Sequence, residues 1–226
     1  MTSNMDSFYE ACKHGHLDRV QHLLYMGCNP AEDDNKAICI AADYGHLAII
    51  ECLLHDPRVD PTCYYNMPLL HATYHGYLSI VNCLLADPRV IRTVSKERIF
   101  ERAAARGHLA IVNRLLEYPD MDPSTNDNNA IRMAAVHGYL PVIQRLLLDP
   151  RVDPSDCNNF ALAIAQFYRH DAVAACLQQD DRVNPLISKQ RCMKRCADIK
   201  EEIMMAAWHP RRVERLLLAG YDIEDM

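Results

Sequence analysis

Glycine and long apolar stretches are both scarce in this chain of 226 residues, which has only 7 glycines. No run of about 18 uncharged apolar residues occurs, so we expect no helix that spans a membrane. The first ten residues contain Asp6 and Glu10 and lack a basic stretch followed by an apolar one, so we expect no signal peptide. Acidic residues outnumber basic ones by 30 to 24, which disfavours nucleic acid as a partner because such binding uses a basic face.

Sequence signatures of catalysis are also missing. The chain contains neither a Gly-rich phosphate-binding loop nor a Gly-x-Ser-x-Gly nucleophile motif. Asp56, Asp87 and Asp149 recur with a repeated loop, whereas a catalytic group is expected once in a chain. We therefore predict that the protein is not an enzyme and that it needs no cofactor.

The ten cysteines are spread along helical segments, whereas small secreted scaffolds cluster theirs among loops. We expect all ten to be free thiols in a reducing compartment. That compartment is the cytoplasm, with the nucleus as the alternative. Cys192 and Cys196 lie four residues apart and His209 follows, but no fourth zinc ligand is present, so we predict no metal site. The favoured interpretation is that Cys192 and Cys196 are two small residues on a packed helix face. The alternative is that they form a metal- or redox-responsive switch.

Three markers recur along the chain at one period. Turn glycines stand at Gly15, Gly45, Gly76, Gly107 and Gly138, with spacings of 30, 31, 31 and 31 residues. A Leu-Leu pair follows each glycine at the same interval, as in Leu146-Leu147. The segment Asp-Pro-Arg-Val-Asp-Pro begins at Asp56 and again at Asp149, with degenerate copies at Asp87, Tyr118 and Asp180. Such a period indicates a repeat architecture.

The fifth copy shows how one repeat is built. Its alanines, including Ala134 and Ala135, form a narrow apolar stripe on a short helix, and small side chains allow another helix to come close. Gly138 ends that helix because glycine adopts positive φ easily. Leu146 and Leu147 lie on one face of a second helix, which Pro150 ends. A single unit cannot bury its apolar stripe, so neighbouring copies must stack on it.

The repeat resembles the ankyrin repeat. Gly-His-Leu stands at residues 15–17, 45–47 and 107–109, and Gly-Tyr-Leu at 76–78 and 138–140. Only Pro68-Leu69 matches the usual Thr-Pro-Leu-His opening of the first helix, and the period is 31 instead of 33. The Asp-Pro-Arg-Val-Asp-Pro loops are similar to ankyrin arrays of giant viruses and protists. The resemblance implies an all-α helix-turn-helix solenoid with short loop hairpins, in which the turn histidines hydrogen-bond between adjacent turns.

Six copies fit residues 6–185. The sixth is eroded, with Arg169 in place of the turn glycine, as is typical of a terminal repeat. Residues 186–226 leave the register and are predicted to form a C-terminal helical cap. A basic run in this tail is interpreted as a solvated helix face, with a nuclear-import signal or a contact to an acidic partner as alternatives; it comprises Lys189, Arg191, Lys194, Arg195 and Lys200.

The resemblance implies a protein-interaction module that binds a partner protein through a concave groove. The residues before each turn glycine vary in type and are rich in Tyr, His and Arg, which suit binding hot spots. The predicted binding residues are Tyr44, Tyr64, Tyr74, His75, Arg106, His137 and Tyr168. The alternative is that they only cap helices or pack on neighbouring turns. The tail holds 8 of the 24 Lys and Arg and 7 of the 30 Asp and Glu, so the repeats carry a net −7, which favours a partner with a basic surface.

A second functional hypothesis is a substrate adaptor. In that case the array would bind a substrate and residues 186–226 would recruit a ubiquitin ligase, as in viral ankyrin proteins with a C-terminal box. The Leu-Pro opening typical of an F-box is missing after Pro185, which disfavours this alternative.

Overall fold

The computed structural model describes residues 4–183, which form two compact units divided after Ser95. Seven helices lie in the described part of the first unit: α1 (Asn4–Lys13), α2 (Leu17–Tyr25), α3 (Glu32–Asp43), α4 (Leu47–Leu54), α5 (Cys63–His75), α6 (Leu78–Ala86) and α7 (Pro88–Thr93). Six lie in that of the second: α8 (Lys96–Ala105), α9 (Leu109–Leu116), α10 (Thr125–Val136), α11 (Leu140–Leu147), α12 (Asp156–Phe167) and α13 (Asp171–Gln178). The described residues contain no strand.

Each unit is a stack of antiparallel helix pairs, as the repeat predicts. In the first unit α1 packs on α2, α3 on α4 and α5 on α6, while the first helices α1, α3 and α5 stack in sequence. In the second unit the pairs are α8–α9, α10–α11 and α12–α13, and the first helices α8, α10 and α12 stack likewise. The prediction of an all-α, ankyrin-type helix-turn-helix architecture is confirmed.

Alanine allows the first helices to approach each other. Ala41, Ala42, Ala134 and Ala135 have no exposed surface. The second helices contribute the larger apolar side chains, such as Leu146, which is also fully buried. Close helix contacts therefore form along the alanine stripe, and burial of the branched side chains supplies much of the hydrophobic stabilisation.

The turn glycine is required because the next repeat packs directly on it. Gly107 has φ of +74°, and a Cβ built there would lie 2.5 Å from Cδ1 of Tyr139. A Cβ built at Gly138, the equivalent residue of the next repeat, would lie 2.6 Å from Nδ1 of His170. Where a histidine follows the turn glycine or its replacement, its ring can also bond the preceding turn. At His170 the Nε2 atom lies 3.0 Å from the carbonyl oxygen of Val136. The predicted structural role of the turn histidines is thus confirmed at this turn.

The Asp-Pro-Arg segments join successive loops. Arg151 donates hydrogen bonds to both carboxylate oxygens of Asp149, at 2.9 and 2.7 Å, and a third to the carbonyl oxygen of Met121 in the preceding loop, at 2.7 Å. Arg182 bonds the carbonyl of Val152 in the same way, at 2.7 Å. The recurring acids therefore serve the loop, as their periodicity indicated.

Each of four loops turns back through three consecutive residues in the left-handed helical region, where the sequence indicated short hairpins. These turns are 33–35, 64–66, 126–128 and 157–159, and each ends in asparagine. Asparagine and aspartate adopt this conformation more readily than other non-glycine residues. In two turns the asparagine also fixes the following loop, since Asn35 and Asn128 accept hydrogen bonds from the amides of Asp60 and Asp153, at 2.7 and 2.8 Å.

Candidate protein-binding surfaces

Tyr44 lies where α3 ends and is 46% exposed. The Lys13 ammonium group, at the end of the neighbouring α1, lies 5.6 Å from the centroid of the Tyr44 ring. Adjacent first helices therefore present their C-terminal residues side by side. We call Lys13, Asp43, Tyr44, Tyr74 and His75 the helix-end surface of the first unit.

Asp43 organises the centre of this surface. Its Oδ1 lies 2.9 Å from Nε2 of His75 and 2.9 Å from Nδ1 of His71, both on α5. The His75 ring stacks on Tyr77 with centroids 5.5 Å apart, and the Tyr74 ring meets it edge-on at 4.9 Å. The His75 ring is thus held between Asp43 and Tyr77, and the side chain is still exposed to solvent.

Tyr64 belongs to a separate part of the first unit. It lies at the start of α5, whereas Tyr74 and His75 lie at its end, and the intervening helix is about 12 Å long at 1.5 Å per residue. The Tyr64 hydroxyl donates a hydrogen bond of 3.2 Å to Oδ2 of Asp34 in the preceding turn. This bond raises the pKa of the Tyr64 phenol, because the ionised phenol could not donate it.

Tyr65 was missed by the sequence prediction. It is 86% exposed, and with Asp33, Asp34 and Tyr64 it forms what we call the tip surface. The signal was present in the sequence, because the equivalent positions of the other left-handed turns hold Asp34, Asp127 and Asn158. A tyrosine where the repeat otherwise places a short polar residue makes Tyr65 a candidate binding residue.

Arg106, His137 and Tyr168 follow the first helices of the second unit. His137 is exposed, with its ring 5.9 Å from that of Tyr139, and Arg106 is half-buried. Tyr168 is 42% exposed and meets Phe167 edge-on, with centroids 5.1 Å apart. Phe167 is itself exposed and was not among the predicted residues, although it directly precedes Tyr168.

The predictions for the tail lie outside the described residues. They comprise the helical cap, the basic run, and the group of Cys192, Cys196 and His209. Within residues 4–183 no group of three or more His, Cys, Asp or Glu residues is placed to hold a metal ion. The eight cysteines in that range are free, with the Sγ atoms of Cys39 and Cys63 3.6 Å apart. None of the described helices has the length and apolar character that crossing a bilayer requires.

Comparison with known proteins identifies the repeat. Residues 8–93 match the family model for ankyrin repeats in three copies. The structure is similar to the ankyrin repeat domain of human ASB11, with a TM-score of 0.60 and 17% sequence identity over 82% of this chain and 95% of that one. A search of curated protein sequences gives no match.

The two positive comparisons agree on the same architecture. The family match covers most of the first unit, in which the first helices α1, α3 and α5 stack in sequence. The structural likeness extends over most of the chain and shows its fold. Residues 8–93 therefore match the ankyrin repeat family, and the described chain has the fold of an ankyrin repeat domain.

Proposed function

We propose that this protein binds a partner protein through the exposed ends of its first helices and the adjoining loop tips. The observation that carries the proposal is the exposure of Tyr44 in the first unit and of Tyr168 in the second, both directly after a first helix. Tyrosine offers a large apolar area with a polar group and loses little conformational entropy on binding.

The charge of the repeats supports a basic partner. Residues 4–95 contain 6 Lys and Arg against 11 Asp and Glu, a net −5, whereas residues 96–183 contain 10 against 12, a net −2. The acidic excess is thus concentrated in the first unit. Complementary charge of this kind accelerates association and excludes wrong partners.

The test is an alanine scan against a partner captured from native cells and identified by mass spectrometry. Tyr44→Ala, Tyr74→Ala, Arg106→Ala and Tyr168→Ala are compared with the parent, and at least one should weaken binding by about 2 kcal/mol. Tyr25→Ala is the matched control, because Tyr25 is 88% exposed at the end of the second helix α2. Full affinity in all four variants, with loss in the control, would show that binding uses the other face.

We also propose that the protein resides in the cytoplasm or the nucleus, and its free thiols support this location. Free cysteines persist in the cytoplasm and nucleus, where thiols are kept reduced. Thiol titration of protein isolated from native cells under denaturing, non-oxidising conditions should find all ten cysteines free. Loss of two or more thiols to disulfides would contradict this location.

A further inference from the structure

The tip surface is an exposed aromatic patch on an acidic background. Tyr64 is 53% exposed and Tyr65 86%. Glu32, Asp33 and Asp34 occupy the preceding tip, and the hydrogen bond from the Tyr64 hydroxyl to Asp34 joins the two tips. Aromatic rings beside carboxylates are the combination that attracts a cation, since both the ring face and the carboxylate carry negative potential.

The same surface already holds one cation of the protein itself. The Lys36 ammonium group lies 4.6 Å from the centroid of the Tyr9 ring and 3.8 Å from Oδ2 of Asp33. The Tyr9 hydroxyl in turn donates a hydrogen bond of 3.1 Å to Asp33. Tyr64 and Asp34 form a second tyrosine–aspartate pair beside the first. Within residues 4–183 the structure shows no lysine or arginine over the Tyr64 or Tyr65 ring.

Local backbone preference does not explain the two tyrosines. Tyr64 and Tyr65 have φ of +48° and +60°, a region that disfavours aromatic residues. The equivalent turn of the second unit has Asn126 and Asp127, which tolerate it. The tyrosines therefore occupy positions that asparagine and aspartate would fill at lower conformational energy.

We propose that the tip surface binds lysine or arginine side chains in a basic segment of the partner protein. The cationic groups lie over the Tyr64 and Tyr65 rings and pair with the carboxylates of Asp33 and Asp34. This inference rests on the proposed function and names its partner class. The net charge of −5 over residues 4–95 supports the same occupant.

The test exchanges the tip for its counterpart in the second unit. Tyr64→Asn combined with Tyr65→Asp reproduces the Asn126-Asp127 turn in the full chain. The melting temperature should rise, because both new residues accept positive φ more readily. Affinity for a synthetic ten-residue peptide of alternating arginine and serine, measured by calorimetry, should fall about tenfold even though the variant is more negatively charged.

Two further variants separate the ring from the charge. Tyr65→Phe should retain the parent affinity for the peptide because the aromatic face is preserved, whereas Asp34→Asn should weaken binding because a carboxylate is lost. Parent-level peptide binding in the exchanged tip would overturn the proposal, since it would show that general negative charge suffices. A control peptide has glutamate in place of arginine. If the exchanged tip weakened binding of this peptide by the same factor, the proposal would also be overturned, because the site would then be apolar and indifferent to charge.

A second copy of the chain is the other possible occupant. Self-association of the parent in sedimentation, abolished by the exchanged tip, would overturn the proposal in favour of that occupant. Failure of the proposed function is distinguishable, because it would appear as unchanged partner affinity in all four alanine variants of the helix ends, including those at Tyr44 and Tyr74. Those two variants should leave peptide binding at the tip unaltered.

Discussion

Replacing the turn glycine Gly107 with alanine should destabilise the second unit through two separate effects. At φ of +74° the backbone is in a region that an L-amino acid with a Cβ adopts at a cost of about 1–2 kcal/mol. The new Cβ would also lie 2.5 Å from Cδ1 and 2.8 Å from Cγ of Tyr139, so the base of that ring must move. Overpacking of this kind costs about 1–3 kcal/mol.

Gly27 provides the matched control for the backbone effect. Its φ is +90°, and apart from its chain neighbours no atom lies within 4 Å of a Cβ built there. Gly27→Ala should therefore cost only about 1–2 kcal/mol, against about 2–5 kcal/mol for Gly107→Ala. The difference measures how closely the Tyr139 ring packs on the preceding turn.

Urea unfolding followed by far-ultraviolet circular dichroism measures both free energies of unfolding. Tyr139→Ala should remove the clash, so Gly107→Ala in that background should cost no more than Gly27→Ala does in the parent. An equal loss in the two single glycine variants would refute the packing argument and leave only the backbone effect.

Three further predictions concern the alanine stripe and the loops. Ala134→Leu should lower the free energy of unfolding by about 1–3 kcal/mol because the site is fully buried, and an unchanged melting temperature, or an equal effect at exposed Ala110, would contradict the helix register. Arg151→Ala should lower the free energy of unfolding by about 1 kcal/mol, and urea titrations should show a smaller loss for Arg58→Ala. Both arginines pair with their own aspartate, but only Arg151 of the two also bonds the preceding loop. The Arg151 hydrogen bond lowers the pKa of Asp149, so its stabilisation is present above about pH 4 and is lost as pH falls through the folded-state pKa. Asp149→Asn should therefore lose less stability than the parent between pH 7 and pH 3, and identical losses would contradict this pairing.

The repeat period predicted most of the fold because it constrains neighbours as well as helices. Residues one period apart occupy equivalent places in adjacent repeats, so the packing of Tyr139 on Gly107 and of His170 on Gly138 follows from the spacing. The pairing of His75 with Asp43 across 32 residues is of the same kind and was accessible from the sequence. What the period cannot provide is the rotamer that brings the two side chains into contact.

The candidate binding surfaces were less predictable for a physical reason. Variation at the helix ends indicated Tyr44, His75 and Tyr168 as exposed, and all three are exposed, but it did not indicate that the His75 ring stacks on Tyr77. The left-handed turns depend on three successive backbone conformations that asparagine favours without requiring them. Tyr65 was missed because a loop tyrosine becomes informative only when that conformation is known.

Hydrogen–deuterium exchange of the full chain, alone and with its captured partner, shows directly whether the partner covers the helix ends and the tip. We expect slower exchange at the ends of the first helices, residues 43–46 and 73–77, and at the tip, residues 63–67. Exchange in the second helices, α4 and α6, should remain unchanged. Protection confined to the second helices, with none at the helix ends or the tip, would contradict binding through these surfaces.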